Sequence, residues 1–110
     1  MNEHEQLIAN FYTSFQKLNG EGMAECYHED VFFYDPVFQD LQGVRAKSMW
    51  KMLCSGAKEL TIEFGEIKSP DEYGSCKWKA TYRFSRTGRK VINKVTARFK
   101  FQDGKIIEHM

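Results

Sequence analysis

From residue 60 to residue 101 apolar and polar side chains alternate at a spacing of two, and no other feature constrains the fold as strongly. Leu60, Ile62 and Phe64 alternate with Thr61 and Glu63. Cys76, Trp78, Ala80, Tyr82 and Phe84 alternate with Lys77, Lys79, Thr81 and Arg83. Val91, Asn93, Val95, Ala97, Phe99 and Phe101 alternate with Ile92, Lys94, Thr96, Arg98 and Lys100. Successive side chains of a strand point to opposite faces, so each segment has one apolar and one wet face, as antiparallel sheets do. Thr87-Gly88 and Asp103-Gly104 supply hairpin turns, the second a strong two-residue signal. Ile106 to His109 is the predicted last strand. A sheet of this kind has one face to cover.

The cover is predicted from the first half of the chain. Asn2 followed by Glu5 is a capping box, and Leu7, Ile8, Phe11, Phe15 and Leu18 recur at helical spacing. Asn19-Gly20 ends that helix, and Gly22 to Tyr27 is predicted as a second, short one. His28-Glu29-Asp30 reads as a polar turn into a first strand, Val31 to Asp35, which Pro36 limits. Phe38 to Gly43 is predicted as a loop. A third helix from Val44 to Cys54 carries Ala46, Met49, Trp50 and Leu53 on one stripe, closed by Ser55-Gly56. The order helix, helix, strand, helix, four strands predicts one α+β domain over residues 1–110. Three N-terminal helices then cover one face of a curved antiparallel sheet.

Composition narrows the function classes. The 110 residues are 42% hydrophobic and 28% charged, a globular balance, and the formal charge of +1 exerts no global pull on nucleic acid or anionic membrane. Cys26, Cys54 and Cys76 are odd in number and widely spaced. Free, mostly buried thiols in a reducing cytoplasm are expected rather than disulfides or a zinc site. No leader-like segment and no apolar run of ~18 residues is present, so a soluble, cytoplasmic protein is expected, not a membrane one. His4, His28 and His109 lack metal-ligand spacing; no metal and no cofactor is expected. Lys77, Lys79, Arg83, Lys94, Arg98 and Lys100 share the outward face of two strands. With no aromatic residues among them, pairing with Glu63 and Glu66, or with acids across a dimer interface, is expected in preference to nucleic acid.

The leading functional candidate is Asp35, which ends the run Val31-Phe32-Phe33-Tyr34. Alternation places it on the face of Val31 and Phe33. If that face is the inner one, a carboxylate enters an apolar space and must find a partner, take up a proton or do chemistry. Two readings stand open: a general base acting on a carbon next to a carbonyl or on water, or a cap for backbone amides in the loop after Pro36. Tyr12, Tyr34 and Tyr82 are candidate donors to a ligand oxygen, Tyr82 sharing its stripe with Trp78. Asn93 is the one polar residue on its strand face and serves either a ligand or a buried neighbour. Trp50, Met49, Leu53, Phe64 and Trp78 line a pocket or fill a core.

Four strings, in their order and spacing, carry a resemblance: Tyr27-His28-Glu29-Asp30-Val31, Tyr34-Asp35-Pro36-Val37-Phe38, Gly43-Val44-Arg45-Ala46, and Arg98 to Ile106. The chain resembles the nuclear transport factor 2-like superfamily in its SnoaL-like branch. The resemblance implies a cone-shaped α+β barrel in which a curved sheet and helices enclose an apolar pocket. It also implies a homodimer packed through the sheet. The superfamily spans ketosteroid isomerase, polyketide cyclases, limonene epoxide hydrolase and dehydratases, so fold does not fix reaction.

In ketosteroid isomerase the base is an Asp of an Asp-Pro pair closing the first strand, matched here by Asp35-Pro36. The Tyr that serves there as oxyanion donor falls at Phe11, with Tyr12 one residue away, and the second donor, an Asp, falls near Ala97. Loss of one such donor typically costs ~10²–10³ in rate, so isomerisation by that route is not expected. Nor is the Asp-Arg-Asp set of the epoxide hydrolase assembled, since the relevant strand face offers Asn93 and no acid. Relatives often add a further strand stretch at the C-terminal end, so a short last strand and a less covered pocket or interface are expected. The resulting expectation is a cofactor-free protein binding a small hydrophobic, carbonyl-type molecule, as isomerase, cyclase or lyase, with Asp35 as base. Tyr82, Asn93, Trp50, Trp78, Phe64, Phe11 and Tyr12 would surround that molecule. The alternative is a non-catalytic ligand-binding or dimerisation module.

Overall fold

Asn2 opens the first helix as its sequence predicts. Its side chain accepts a hydrogen bond from the Glu5 amide at 2.8 Å, and Glu5 Oε1 accepts one from the Asn2 amide at 3.0 Å. Two of the donors that a helix start leaves unpaired are thereby satisfied. This helix, α1 (Glu3–Gln16), buries Ile8, Phe11, Tyr12 and Phe15. There follow α2 (Gly20–Glu25), β1 (Tyr27–Asp35), β2 (Gln39–Gln42), α3 (Val44–Gly56), β3 (Thr61–Lys68), β4 (Tyr73–Arg83), β5 (Lys90–Gln102) and β6 (Lys105–His109). The computed structural model describes residues 2–35, 39–56, 59–83 and 87–110, without the side chains of Asp35 and Gln39.

The strands form one six-stranded sheet in the order β2-β1-β6-β5-β4-β3. Every neighbouring pair is antiparallel except β1 with β6, which is parallel. That corrects the all-antiparallel expectation. The Asp103-Gly104 hairpin fixes the direction of β6 against β5, and β6 then meets β1 running the same way. Both turn residues have the positive φ that a type I′ turn requires, 53° and 74°.

Three local expectations also change. Residues 28–30 belong to β1 rather than to a turn, which brings Tyr27 into phase with the buried Val31 and Phe33. The second helix accordingly ends at Glu25. The stretch read as a loop before α3 contains β2, whose Leu41 and Asp40 pair with Phe33 and Tyr34. Of the predicted strand and hairpin positions, 84–86 lie outside the described residues.

The core lies between the helices and one face of the sheet, and is dominated by rings. Cys26, Cys54 and Cys76 are free and buried within it. No helix among the described residues is long and apolar enough to cross a membrane. Backbone approaches backbone closely at Gly20, the first residue of α2. A Cβ there would stand 2.6 Å from Lys51 Cα on α3, and a backbone atom cannot swing away. Gly20→Ala is therefore expected to destabilise the fold by about 1–3 kcal/mol through overpacking. A lowered urea midpoint at unchanged slope would verify it.

Candidate functional site

Under α1 the rings form one connected layer from β1 to β3. At the β1 end the Trp50 indole N–H donates to Tyr27 Oη at 2.7 Å, and Tyr27 Oη lies 2.7 Å from His109 Nδ1. The phenol has one proton to give. Giving it to His109 Nδ1 satisfies all three groups, and the imidazole proton then sits on Nε2. His109 pairs in register with Phe33 on one side and Phe99 on the other, at ring distances of 5.0 and 4.5 Å. Burial in this setting pushes its pKa down to about 3, so the imidazole is neutral at physiological pH. Burial likewise pushes the Tyr27 phenol well above its ordinary value.

At the β3 end Tyr12 is fully buried, with its ring 5.6 Å from Phe64 and 5.8 Å from Trp78. Tyr12 Oη and Trp78 Nε1 are both buried and have no hydrogen-bond partner among the described residues. Desolvation raises the Tyr12 pKa well above the usual phenol value, with Cys76 and Tyr27 adding to the effect. Tyr12 is thus a neutral donor without an acceptor among the described residues. Phe15 joins the two ends, 5.1 Å from Trp50 and 5.7 Å from Trp78. An open groove of about 460 Å³ lies on the outward face of the sheet, where Glu63, Lys77, Lys79, Lys94 and Thr96 surround the strand positions of Phe64, Trp78 and Val95.

Of the residues singled out from sequence, Phe11, Tyr12, Trp50, Phe64 and Trp78 meet in this ring layer. Tyr82 and Asn93 stand apart from it. Asn93 is exposed, and its Nδ2 donates to Tyr82 Oη at 3.4 Å, a long bond at the open end of β4 and β5. Asp35 closes β1 opposite Gln39; its side chain lies outside the described residues. Sequence reasoning missed His109 and Tyr27. For Tyr27 a signal existed, the alternation with Val31 and Phe33. For His109 none did, because Ile106 and His109 are both buried while an odd number of residues apart. Pairing with β5 shifts register between them: Phe101 faces Ile106, Lys100 faces Glu108, and Ile107 is the extra residue. Such a bulge turns His109 to the inner face.

The SnoaL-like domain model matches residues 8–109 of the chain. The chain belongs to the SnoaL-like domain family. Solved structures agree on the fold. A Catenulispora acidiphila protein of ketosteroid isomerase-like fold, in complex with trimethylamine, is 5% identical with a TM-score of 0.81, over 94% of this chain and 81% of its own. A candidate polyketide cyclase from Xanthomonas campestris pv. campestris is 15% identical with a TM-score of 0.78, over 98% and 87%. TerC, co-crystallised with polyporic acid, is 14% identical with a TM-score of 0.81, over 98% and 88%. No curated protein matches the chain. At these identities the likeness concerns the SnoaL-like fold, and reaction has to be argued from this chain's own residues.

Proposed function

We propose that this SnoaL-like domain binds a hydrophobic small molecule bearing a carbonyl-type oxygen, with Asp35 as general base for isomerase, cyclase or lyase chemistry. One observation carries the reading: two buried donors, Tyr12 Oη and Trp78 Nε1, stand among aromatic rings with no partner among the described residues. A buried donor left unpaired costs about 1–3 kcal/mol. An acceptor oxygen on a ligand removes that cost, while the ligand's apolar body rests against Phe64 and Trp78. A neutral phenol suits an uncharged carbonyl, because it donates without losing its proton. The polyporic acid in TerC adds a small-molecule precedent on the same fold.

Tyr12→Phe separates this role from packing. The variant is expected to gain roughly 1 kcal/mol of stability, since it discards an unsatisfied hydroxyl. It is also expected to bind hydrophobic ketone probes about tenfold more weakly, read by quenching of tryptophan fluorescence. Unchanged affinity for an aryl ketone that binds the parent chain would remove Tyr12 from the site. A loss of stability would mean that the hydroxyl already has a partner.

A further inference from the structure

α3 keeps its charge unpaired and its apolar surface exposed on one and the same face. The helix holds Arg45, Lys47 and Lys51 and no acidic residue. Elsewhere the cations of β4 each have a carboxylate from β3 or the residue just ahead of it: Lys77 with Glu66 at 3.3 Å, Lys79 with Glu63 at 2.8 Å, Arg83 with Glu59 at 3.0 Å. Arg45, Lys47 and Lys51 have no carboxylate partner among the described residues. Val44 and Met52 are the most exposed large apolar side chains among those residues, at 76% and 60%.

Helical spacing sorts these residues. Val44, Ser48, Met52 and Ser55 follow one another at intervals of four, four and three, so they form one ridge, and all four are exposed. Ala46, Met49, Trp50 and Cys54 are buried on the opposite side. Arg45 flanks the ridge on one side, Lys47 and Lys51 on the other. Val44 and Met52 stand ~12 Å apart along the axis, about two turns. A ridge of this spacing packs against another helix. An extended segment would gain no main-chain bonds there, because the backbone groups along a helix bond within it. Charge decides the sign of the occupant. Carboxylates flanking an apolar stripe would pair all three cations, whereas α3 of a second copy would set cation against cation.

We propose that the outward face of α3 is a docking surface for an acidic amphipathic helix of another polypeptide. Two apolar side chains of that helix, about two turns apart, cover Val44 and Met52. Its Asp and Glu side chains meet Arg45 on one flank and Lys47 and Lys51 on the other. The docking face and the buried ring layer lie on opposite sides of α3, so neither reading depends on the other.

Amide NMR shifts of the intact chain test it. The probe is a helical peptide of about four turns with Leu along one stripe and Glu on its flanks; the control carries Lys in place of Glu. The Glu peptide is expected to move the signals of Val44, Ser48, Lys51 and Met52, with a Kd below about 1 mM, and to leave those of β4 and β5 in place. The Lys peptide is expected to move none of them. Met52→Ser weakens the Glu peptide about tenfold, the loss of one apolar anchor. The double variant Arg45→Glu with Lys51→Glu reverses the preference, so that the Lys peptide binds and the Glu peptide does not. Both changed side chains are exposed, and a parental urea midpoint shows the fold to be intact. Equal binding of the two peptides, no shift at α3 with millimolar Glu peptide, or a preference that the double variant leaves unreversed overturns the proposal. So does co-sedimentation with phosphatidylglycerol vesicles that the double variant abolishes, if the Glu peptide does not compete with it, since the face would then serve a lipid surface.

Discussion

Acidification from pH 6.5 towards pH 3 is expected to cost this fold roughly 4–5 kcal/mol through His109 alone. In the unfolded chain His109 takes up a proton near the ordinary imidazole value of 6.5; in the folded protein burial delays that uptake to about 3. Between those values the unfolded state binds more protons, so stability falls as pH falls. Above 6.5 both states are neutral and the contribution is flat; below about 3 both are charged and the loss is complete. Among the described residues, the neighbours of His109 are the rings of Phe11, Phe33, Trp50 and Phe99 and the Tyr27 phenol, none of which supplies a negative charge. A loss of this size is comparable with the whole stability of a marginal domain, about 5–15 kcal/mol.

Urea midpoints measured at intervals from pH 7.5 to 4 would show the slope. His109→Gln should flatten it, at the expense of stability at neutral pH. Nitrogen NMR provides a check that needs no variant: Nε2 protonated, Nδ1 bare, and no titration above about pH 4. A His109 that titrates near 6.5 would show the Trp50–Tyr27–His109 chain to be open to water.

Tertiary pairing decided where this fold was legible in advance. The period-two runs of β3, β4 and β5 and the capped stripe of α1 are local patterns, and each element stands where its pattern put it. β2 is a short polar strand, Gln39–Gln42, with no alternation to announce it; only the pairing of Leu41 with Phe33 makes it one. The parallel contact of β1 with β6 joins opposite ends of the chain and has no local signature. The site divides the same way. Phe11, Tyr12, Trp50, Phe64 and Trp78 were visible as apolar stripes that must face inward. His109 was hidden because the bulge at Ile107 reverses the alternation that would have put it outside. The missing partners of Tyr12 and Trp78 could not be read from sequence either, since a deficit of hydrogen bonds exists only once the neighbours are in place.

Asp35→Asn is expected to lower turnover of any substrate found by about 10²–10⁴, the usual worth of a positioned general base, with a melting temperature equal to or above that of the parent. The expectation follows from what the rest of the ring layer can do. Tyr12 and Tyr27 are held as neutral phenols by burial, and the buried thiol of Cys76 is pushed up to about 11. These groups donate and do not accept a substrate proton. The imidazole of His109, pushed down to about 3 with Nδ1 occupied by Tyr27, is a poor base. The described interior therefore offers donors for an oxygen and no group basic enough to remove a proton. Asp35, closing β1 two residues beyond the buried Phe33, is the acid whose place in the chain can supply that charge. The substitution keeps the shape and removes the negative charge, so lost turnover in a chain that melts as before assigns the base. If Asp35→Asn unfolds readily, the carboxylate is a cap for the backbone that follows, and the domain binds its ligand without transforming it.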